Sequence, residues 1–415
     1  MGKRLLLIGG NFSPELTGIG KYNGEMIDKL ASHGYQCTVV TTFPYYPHWN
    51  IQEPYTKSSR WYKKEIHQTL IGGGAGSIEI FRCPHYVPKK PTGLKRMVSD
   101  FTFTFTALIK VVQLLFAKKF DYVLVVAPPF QLGLLGILYK KIKGAKLLYH
   151  IQDLQIDAAR DFKLIRAQFI INTLLKVEKY ILKMADVVSS ISQGMIKKIE
   201  LKHPGRVVFF PNWVDTGMFF PLYDKEKLKK EFNFEASDKI VLYSGAIGEK
   251  QGLEAILKAA KILHHQQNIK FVICGSGPYK EKLQELKESE KLGNIIFLPL
   301  QPFAKLNAFL NMADIHLVLQ KANAADLVMP SKLTAILSVG GVSIITANAG
   351  SSLFDVVSVH KMGILIEPDN PGVLTGAIEE ALNNNGDEIK KNARLYAEQY
   401  LAIDEIFKKY ITELQ

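Results

Sequence analysis

Five short segments of this sequence carry residue types suited to holding phosphate or moving a proton. Gly18-Ile19-Gly20-Lys21-Tyr22 stands ahead of a helical pattern over Tyr22–His33. Small residues at a helix start leave backbone N–H groups open to an oxyanion, which the helix dipole also favours. A plain helix-entry loop is the equal alternative. The three-residue gap to Gly24, and a following strand that ends in Thr41-Thr42 without a ribose-binding acid, exclude a dinucleotide fingerprint. His150-Ile151-Gln152-Asp153 ends an apolar run. Its imidazole suits a sugar hydroxyl or proton transfer near neutral pH. The competing reading is a strand-end histidine satisfied by local backbone, with Asp153 and Asp157 merely starting a helix.

The other three segments lie in the second half. Ser244-Gly245-Ala246-Ile247-Gly248-Glu249-Lys250-Gln251-Gly252 combines glycines that permit close backbone approach with Lys250, a mobile cation for a diphosphate. Gly275-Ser276-Gly277-Pro278 forms another tight turn after the next strand. Pro330-Ser331-Lys332 opens a helix running to Val339, where Ser331 suits the N-terminus and Lys332 adds charge. The apolar approach Leu327-Val328-Met329 favours burial beside a cleft over an N-cap with a solvated lysine.

What is missing narrows the chemistry. The sequence has no Asp-x-Asp, no Gly-x-x-x-x-Gly-Lys-Ser/Thr and no His-Glu-x-x-His, so no metal site is expected. A departing diphosphate must then be stabilised by lysines and helix N-termini. Cys37, Cys83 and Cys274 stand far apart, which argues against a disulfide framework and suits a reducing cytosol. Residues 1–215 hold 30 Lys and Arg against 15 Asp and Glu, whereas residues 216–415 hold 22 against 24. One half is built to meet something anionic, yet no nucleic-acid motif is present.

The elements that position these segments alternate strand and helix. Strands are expected at Arg4–Ile8, Gln36–Thr41, Tyr122–Val126, Ala145–His150, Val187–Ser190 and Val207–Phe210 in the first half. In the second half they are expected at Ile240–Ser244, Lys270–Cys274, Ile295–Leu298, Ile315–Leu319, Ser343–Thr346 and Ile364–Ile366. Helical patterns such as Leu253–His264, Pro302–Met312 and Pro371–Asn383 lie between them. The order predicts an α/β protein of two Rossmann-like doubly wound domains, with a linker around Pro211–Glu235 and ligands beyond the carboxyl ends of the strands. The short apolar run Leu5–Ile8 is a buried strand and not a secretory segment. Tyr122–Tyr139 is broken by Pro128-Pro129 and Gly133, so a soluble or peripheral protein is expected.

Three features of the basic half have no fixed role. Phe43-Pro44-Tyr45-Tyr46-Pro47-His48-Trp49 either holds a sugar acceptor or only packs. Lys89–Lys119 has seven basic residues around an apolar helix containing Phe101, Phe103 and Phe105. That helix rests on an anionic membrane surface or, as the Phe stripe slightly favours, belongs to the core. Trp61-Tyr62-Lys63-Lys64 reads as a further basic amphipathic patch.

Taken together, Asn11-Phe12-Ser13-Pro14-Glu15, Thr17–Tyr22, Phe43–Pro47, His150–Asp153, Ser244-Gly245, Gln251-Gly252-Leu253-Glu254 and Met329-Pro330-Ser331-Lys332-Leu333 resemble the family-four retaining glycosyltransferases of GT-B fold. Within that family the likeness is to the WcaI-type colanic acid biosynthesis group, and it covers essentially the whole chain. The resemblance implies an acceptor-binding domain over 1–215 and a nucleotide-sugar domain over 216–395. A C-terminal helix within 396–415 (Ile403–Leu414) would cross back to the first domain, and the active site would lie in the interdomain cleft. It implies transfer from a nucleotide-diphosphate sugar, with no other cofactor and no metal, to a glycan or polyprenyl-diphosphate-linked acceptor in bacterial surface polysaccharide assembly. The protein would sit in the cytoplasm, at the inner face of the plasma membrane. His150, Lys250 and Lys332 would be catalytic. Gly18, Gly20, Gly245, Gly275, Gly277 and Ser331 would meet donor phosphates, and Lys21, Tyr22, Tyr45, Tyr46 and Asp153 the acceptor. Two departures stand out: Gly245-Ala246-Ile247 lacks the family arginine, and the paired family glutamates fall at about Leu327 and Ala335. A GT-B-fold nucleotide-sugar epimerase and a non-catalytic nucleotide-sugar or glycan-binding protein are the alternatives.

Overall fold

The structure is a computed structural model that describes residues 2–15, 18–69, 76–161, 167–322 and 330–414. The chain forms two compact units, Met1–Phe210 with Leu414 and Pro211–Glu413 with Gln415.

The first unit is built on an eight-stranded sheet of β1 (Arg4–Gly9), β2 (Gln36–Thr42), β3 (Lys63–Thr69), β4 (Gly76–Cys83), β5 (Tyr122–Ala127), β6 (Lys146–Ile151), β7 (Val187–Ser190) and β8 (Val207–Phe209), in the order β3-β4-β2-β1-β5-β6-β7-β8. All pairs are parallel except β3 with β4. The central strands are buried throughout, because helices cover both faces of a parallel sheet and only unbroken Leu/Val/Ile runs suit such a position.

β3 and β4 were not expected from the sequence. β3 reads KKEIHQT, a charged edge strand with no apolar face, so Lys63-Lys64 opens a strand where a surface patch was anticipated. Its charges find partners across the pairing: Lys64 meets Glu79 at 2.9 Å and Glu65 meets Arg82 at 2.8 Å. Charged edges of this kind also discourage further strand addition. The first helix runs Gly18–Ser32 and not Tyr22–His33, so Gly18 and Gly20 lie inside its opening turn.

The second unit carries six parallel strands: β9 (Lys239–Ser244), β10 (Ile269–Cys274), β11 (Ile295–Leu298), β12 (Ile315–Val318), β13 (Ser343–Thr346) and β14 (Ile364–Ile366), ordered β11-β10-β9-β12-β13-β14. Strand order reverses between β9 and β12, which opens a crevice beyond their carboxyl ends where ligands bind in such sheets. The last helix, Ile403–Leu414, starts beside the Trp213-Val214 segment: Ile403 donates to the Val214 carbonyl at 3.2 Å, and the Trp213 ring meets Phe407 edge-on at 5.0 Å.

Candidate active site

In the second unit the ends of β9 and β10 pair in register, Ser244 opposite Cys274, and the two glycine turns that follow lock together. Gly245 N donates to Cys274 O at 2.9 Å, Ile247 N to Ser276 O at 2.8 Å, and Tyr279 N to Ile247 O at 3.2 Å. A methyl group on Gly275 would stand 1.9 Å from the Gly245 oxygen, and one on Gly277 (φ +154°) 2.1 Å from the Ile247 oxygen. Glycine is therefore required for the two backbones to touch. The Gly245 and Ile247 amides are spent on the Cys274 and Ser276 carbonyls of the second turn, so an oxyanion here depends more on side-chain charge.

That charge is Lys332. The helix Ser331–Ser338 has Pro330 as its N-cap with no side-chain cap hydrogen bond, so Ser331 is its first residue and not its cap, and its side chain is exposed. The Lys332 stem lies over Gly245, where an added Cβ would be 3.3 Å from Lys332 Cδ and 3.6 Å from Nζ. Its Nζ sits 3.8 Å from the centre of the Tyr243 ring. The Tyr243 hydroxyl donates to Ala246 O at 2.6 Å and pins the turn from below. Among the described residues Lys332 Nζ is enclosed and has no hydrogen-bond partner. Burial lowers its pKa to about 7. A cation–π contact compensates a desolvated ammonium only in part, so the site is poised to gain from an anion.

Lys250, the other expected cation, is exposed on a 3-10 turn, Glu249–Gln251, and its carbonyl accepts from Lys321 N at 2.9 Å. The lysine that touches Gly245 is Lys332. Ala335, near which the resemblance placed one family glutamate, packs against the apolar core. Leu327 and its neighbours Val328 and Met329 fall outside the described residues. On the same carboxyl edge, a cavity of about 380 Å³ is lined by Gly252, Gln320, Lys321, Thr346, Glu367 and Asp369 among others.

The first unit gathers its candidates around a residue the sequence reading did not single out, Glu15. This carboxylate is 2% exposed and accepts hydrogen bonds from Tyr45 N at 2.9 Å, Tyr46 N at 2.8 Å and Asn11 Nδ2 at 2.9 Å. Gly20 has room for nothing larger, since an added Cβ would approach Glu15 Oε2 to 2.5 Å. Gly18 faces the Tyr46 ring. Glu15 thus joins the glycine turn to the aromatic loop. Burial raises its pKa to about 7 against those three hydrogen bonds. Arg82, 1% exposed, braces the same region by donating to Ser13 O at 2.8 Å and pairing with Glu65. The type of Glu15, adjacent to Pro14 and five residues before Gly20, was the available signal.

The other expected residues divide by exposure. Tyr46, Lys21 and Asp153 are partly exposed, whereas Tyr22 and Tyr45 are buried. Lys21 lies over the Tyr22 ring and pairs with Glu25 at 3.5 Å. Tyr45 packs edge-on against Trp49 and His85, so its contribution is to the loop's shape. His150 is buried at the end of β6, 3.0 Å from Ser189 Oγ and edge-on to Phe210. Burial lowers its pKa to about 3, leaving a neutral imidazole fitted to hydrogen bonding and not to carrying a proton at neutral pH.

Comparison with known proteins decides the family. Residues 224–400 match the family described as Glycosyl transferases group 1, and residues 17–213 match the Glycosyl transferase 4-like domain. The Escherichia coli protein WcaI, described as a colanic acid biosynthesis glycosyl transferase, is 36% identical over 99% of this chain and 100% of its own length. The chain belongs to the group 1 glycosyltransferases. Its fold is GT-B, two Rossmann-like domains. Sucrose-phosphate synthase from Thermosynechococcus elongatus superposes on it with a TM-score of 0.77 at 16% identity, covering 99% of both chains. Anabaena HepE, solved with UDP-glucose, gives a TM-score of 0.67 at 15% identity over 99% of both. These two likenesses show the fold. The glycosyltransferase thus carries its glycine turns and Lys332 within the group 1 segment, and its Glu15-centred loops in the segment that precedes or overlaps the 4-like domain.

Proposed function

We propose that this glycosyltransferase moves a sugar, with retention of configuration, from a nucleotide-diphosphate sugar to a lipid-linked glycan in bacterial exopolysaccharide assembly. One observation carries the reading: an enclosed amine, Lys332 Nζ, without an ion-pair partner among the described residues, laid against the Gly245 turn at a helix N-terminus. In the proposed reaction the bond from the anomeric carbon to the diphosphate oxygen breaks and its electron pair leaves with the phosphate. Lys332 and the uncapped amides of the helix start stabilise the charge that develops there. The acceptor hydroxyl bonds to the same face of the sugar, and its proton passes to the departing phosphate oxygen. No protein nucleophile takes part, and the cationic role falls to lysine instead of a metal. HepE's complex with UDP-glucose and the kinship to WcaI support the choice of donor and pathway.

The acceptor reading rests on the helix Gly93–Leu115. It is long and apolar enough to cross a membrane by length and composition, yet only one stripe of it is buried. Phe103, Ala107, Val111 and Leu114 join the core of the first unit, while Phe101 (57% exposed) and Phe105 (65%) face outward with Leu94, Ile109 and Phe116. The Phe stripe expected in the core is thus split, with the larger share outside. Lys89, Lys90, Lys118 and Lys119 flank it, and Lys95 and Arg96 lie in its first turn. An apolar face framed by lysines on a sheet-docked helix suits the surface of an anionic bilayer, where a polyprenyl-linked acceptor is found.

A thermal-shift screen over UDP, GDP and ADP and their sugar conjugates tests the donor reading. One nucleoside diphosphate should raise the melting temperature, because a ligand at 100 times its Kd adds about 2.7 kcal/mol. No shift with any of them would remove the proposal.

A further inference from the structure

The second unit has another cavity, of about 440 Å³, at the opposite end of its sheet from the Gly245 turn. It lies where β12 and β13 begin, and Val339, just beyond the helix that starts with Ser331 and Lys332, contributes to its wall. Its lining includes Lys225, Lys390, Lys391 and Arg394 and no acidic residue. That is a concentrated charge in a half of the chain with 22 basic and 24 acidic residues.

The cations are partly engaged with acids behind the wall. Lys225 donates to Ala313 O at 2.7 Å and lies 3.5 Å from Asp314, which also pairs with Lys229 at 2.9 Å. Lys390 meets Asp387 at 3.0 Å. Arg394 meets Glu398 at 2.7 Å and holds the Ser338 and Phe219 carbonyls. Lys391 is exposed and forms no ion pair among the described residues. Lys225 stays below the usual lysine range because of burial, which Asp314 opposes and the repulsion of Lys390 and Lys229 reinforces.

His316 adds the second, independent observation. It is 1% exposed, lines the same cavity, and both of its ring nitrogens lack a hydrogen-bond partner among the described residues. Burial lowers the proton affinity of this ring, and the Leu310 backbone and Asp314 oppose that shift. Gly341 closes over the ring edge, where a Cβ would stand 2.6 Å from His316 Cδ2. A buried polar group left unpaired costs about 1–3 kcal/mol unless something fills its need. Here it sits beside mutually repelling cations in a space of ligand size.

We infer that this cavity is a second binding site, distinct from the Gly245 turn, for a phosphorylated small molecule whose phosphate meets Lys225, Lys390 and Lys391 beside the His316 ring. A hexose phosphate and a nucleoside monophosphate share that chemistry, and the volume admits either.

Titration calorimetry on the full chain carrying Lys332→Ala, which weakens the proposed donor site independently, tests the inference with glucose 1-phosphate, UMP and inorganic pyrophosphate as probes. At least one should bind at one site per chain and shift the His316 ring ¹⁵N resonances, identified by their loss in His316→Gln. The double variant Lys390→Ala/Lys391→Ala changes solvent-facing side chains. It should weaken that binding at least tenfold while leaving the melting temperature without ligand, and nucleoside-diphosphate binding in the Lys332-intact chain, unchanged. Absence of binding by all three probes, or binding that the double variant leaves intact, overturns the inference. Loss of nucleoside-diphosphate binding at the Gly245 turn would count against the proposed donor reading and leave this result standing.

Discussion

Lys332 Nζ sits 3.8 Å above the Tyr243 ring with no hydrogen-bond partner among the described residues, and that pairing sets the electrostatics of the glycine turns. Tyr243 holds the turn through Ala246 O and offers its ring face to the ammonium. The amine is held at the turn with no carboxylate partner among the described residues.

A proton balance follows. With its folded pKa near 7 against an ordinary 10.5, Lys332 is mostly neutral at pH 8 in the empty site. A diphosphate beside it favours the charged form, so binding at pH 8 takes up a fraction of a proton. Calorimetry in buffers of different ionisation enthalpy should detect this uptake in wild type and not in Lys332→Ala; proton release would refute the assignment. By the same linkage the folded state binds fewer protons than the unfolded between pH 7 and 10.5. The contribution of this group to stability therefore rises with pH across that window, and Lys332→Met should abolish the rise.

Gly275→Ala should destabilise the second unit by about 1–3 kcal/mol, since the new methyl would meet the Gly245 carbonyl at 1.9 Å and force the turns apart. Chemical denaturation checks the size of the effect, and nucleotide binding should fall with it. A variant with wild-type stability would mean that the turns do not touch as described.

Glu15→Ala leaves the Tyr45 and Tyr46 amides unpaired and should cost about 2–4 kcal/mol. Glu15→Gln keeps an acceptor oxygen and should cost much less. Because burial raises the Glu15 pKa to about 7 from 4.5, folding takes up a proton between these values. The contribution of this group to stability is fully present below pH 4.5 and is lost as pH rises through 7. Urea melts of wild type and Glu15→Gln from pH 5 to 8 should show this slope only in wild type.

Phe101→Asp/Phe105→Asp changes two outward-facing rings and should leave folding intact. Sedimentation with vesicles containing anionic lipid should then fall at least tenfold relative to wild type. Equal sedimentation would place membrane contact elsewhere or nowhere.

The inner strands were readable because a strand buried on both faces needs an unbroken apolar run, and Tyr122–Val126 or Ile240–Ser244 admit no other reading. β3 was illegible because its stability comes from cross-strand charges, Lys64 with Glu79 and Glu65 with Arg82, which have no periodicity of their own. The Phe residues of Gly93–Leu115 announced an apolar helix but not its facing: Phe101 and Phe105, one turn apart, share the outer face, and Phe103, half a turn between them, points inward. At the site, Lys332 was legible from its place at a helix start. That it faces Gly245 depends on a contact across nearly ninety residues, and that the Gly245 and Ile247 amides are already used depends on two turns thirty residues apart coming together. Glu15 escaped notice because its role lies in the backbone amides it receives, and a sequence pattern does not display those.

The most direct test is the turnover of the sugar donor identified by thermal shift, measured as nucleoside-diphosphate release by wild type, Lys332→Ala and Lys250→Ala. Lys332→Ala should lower kcat/KM about 100-fold or more, about 2.7 kcal/mol, with the fold retained, and Lys250→Ala should lower it by less than about tenfold. A folded Lys332→Ala enzyme with turnover within a few-fold of wild type would contradict the account.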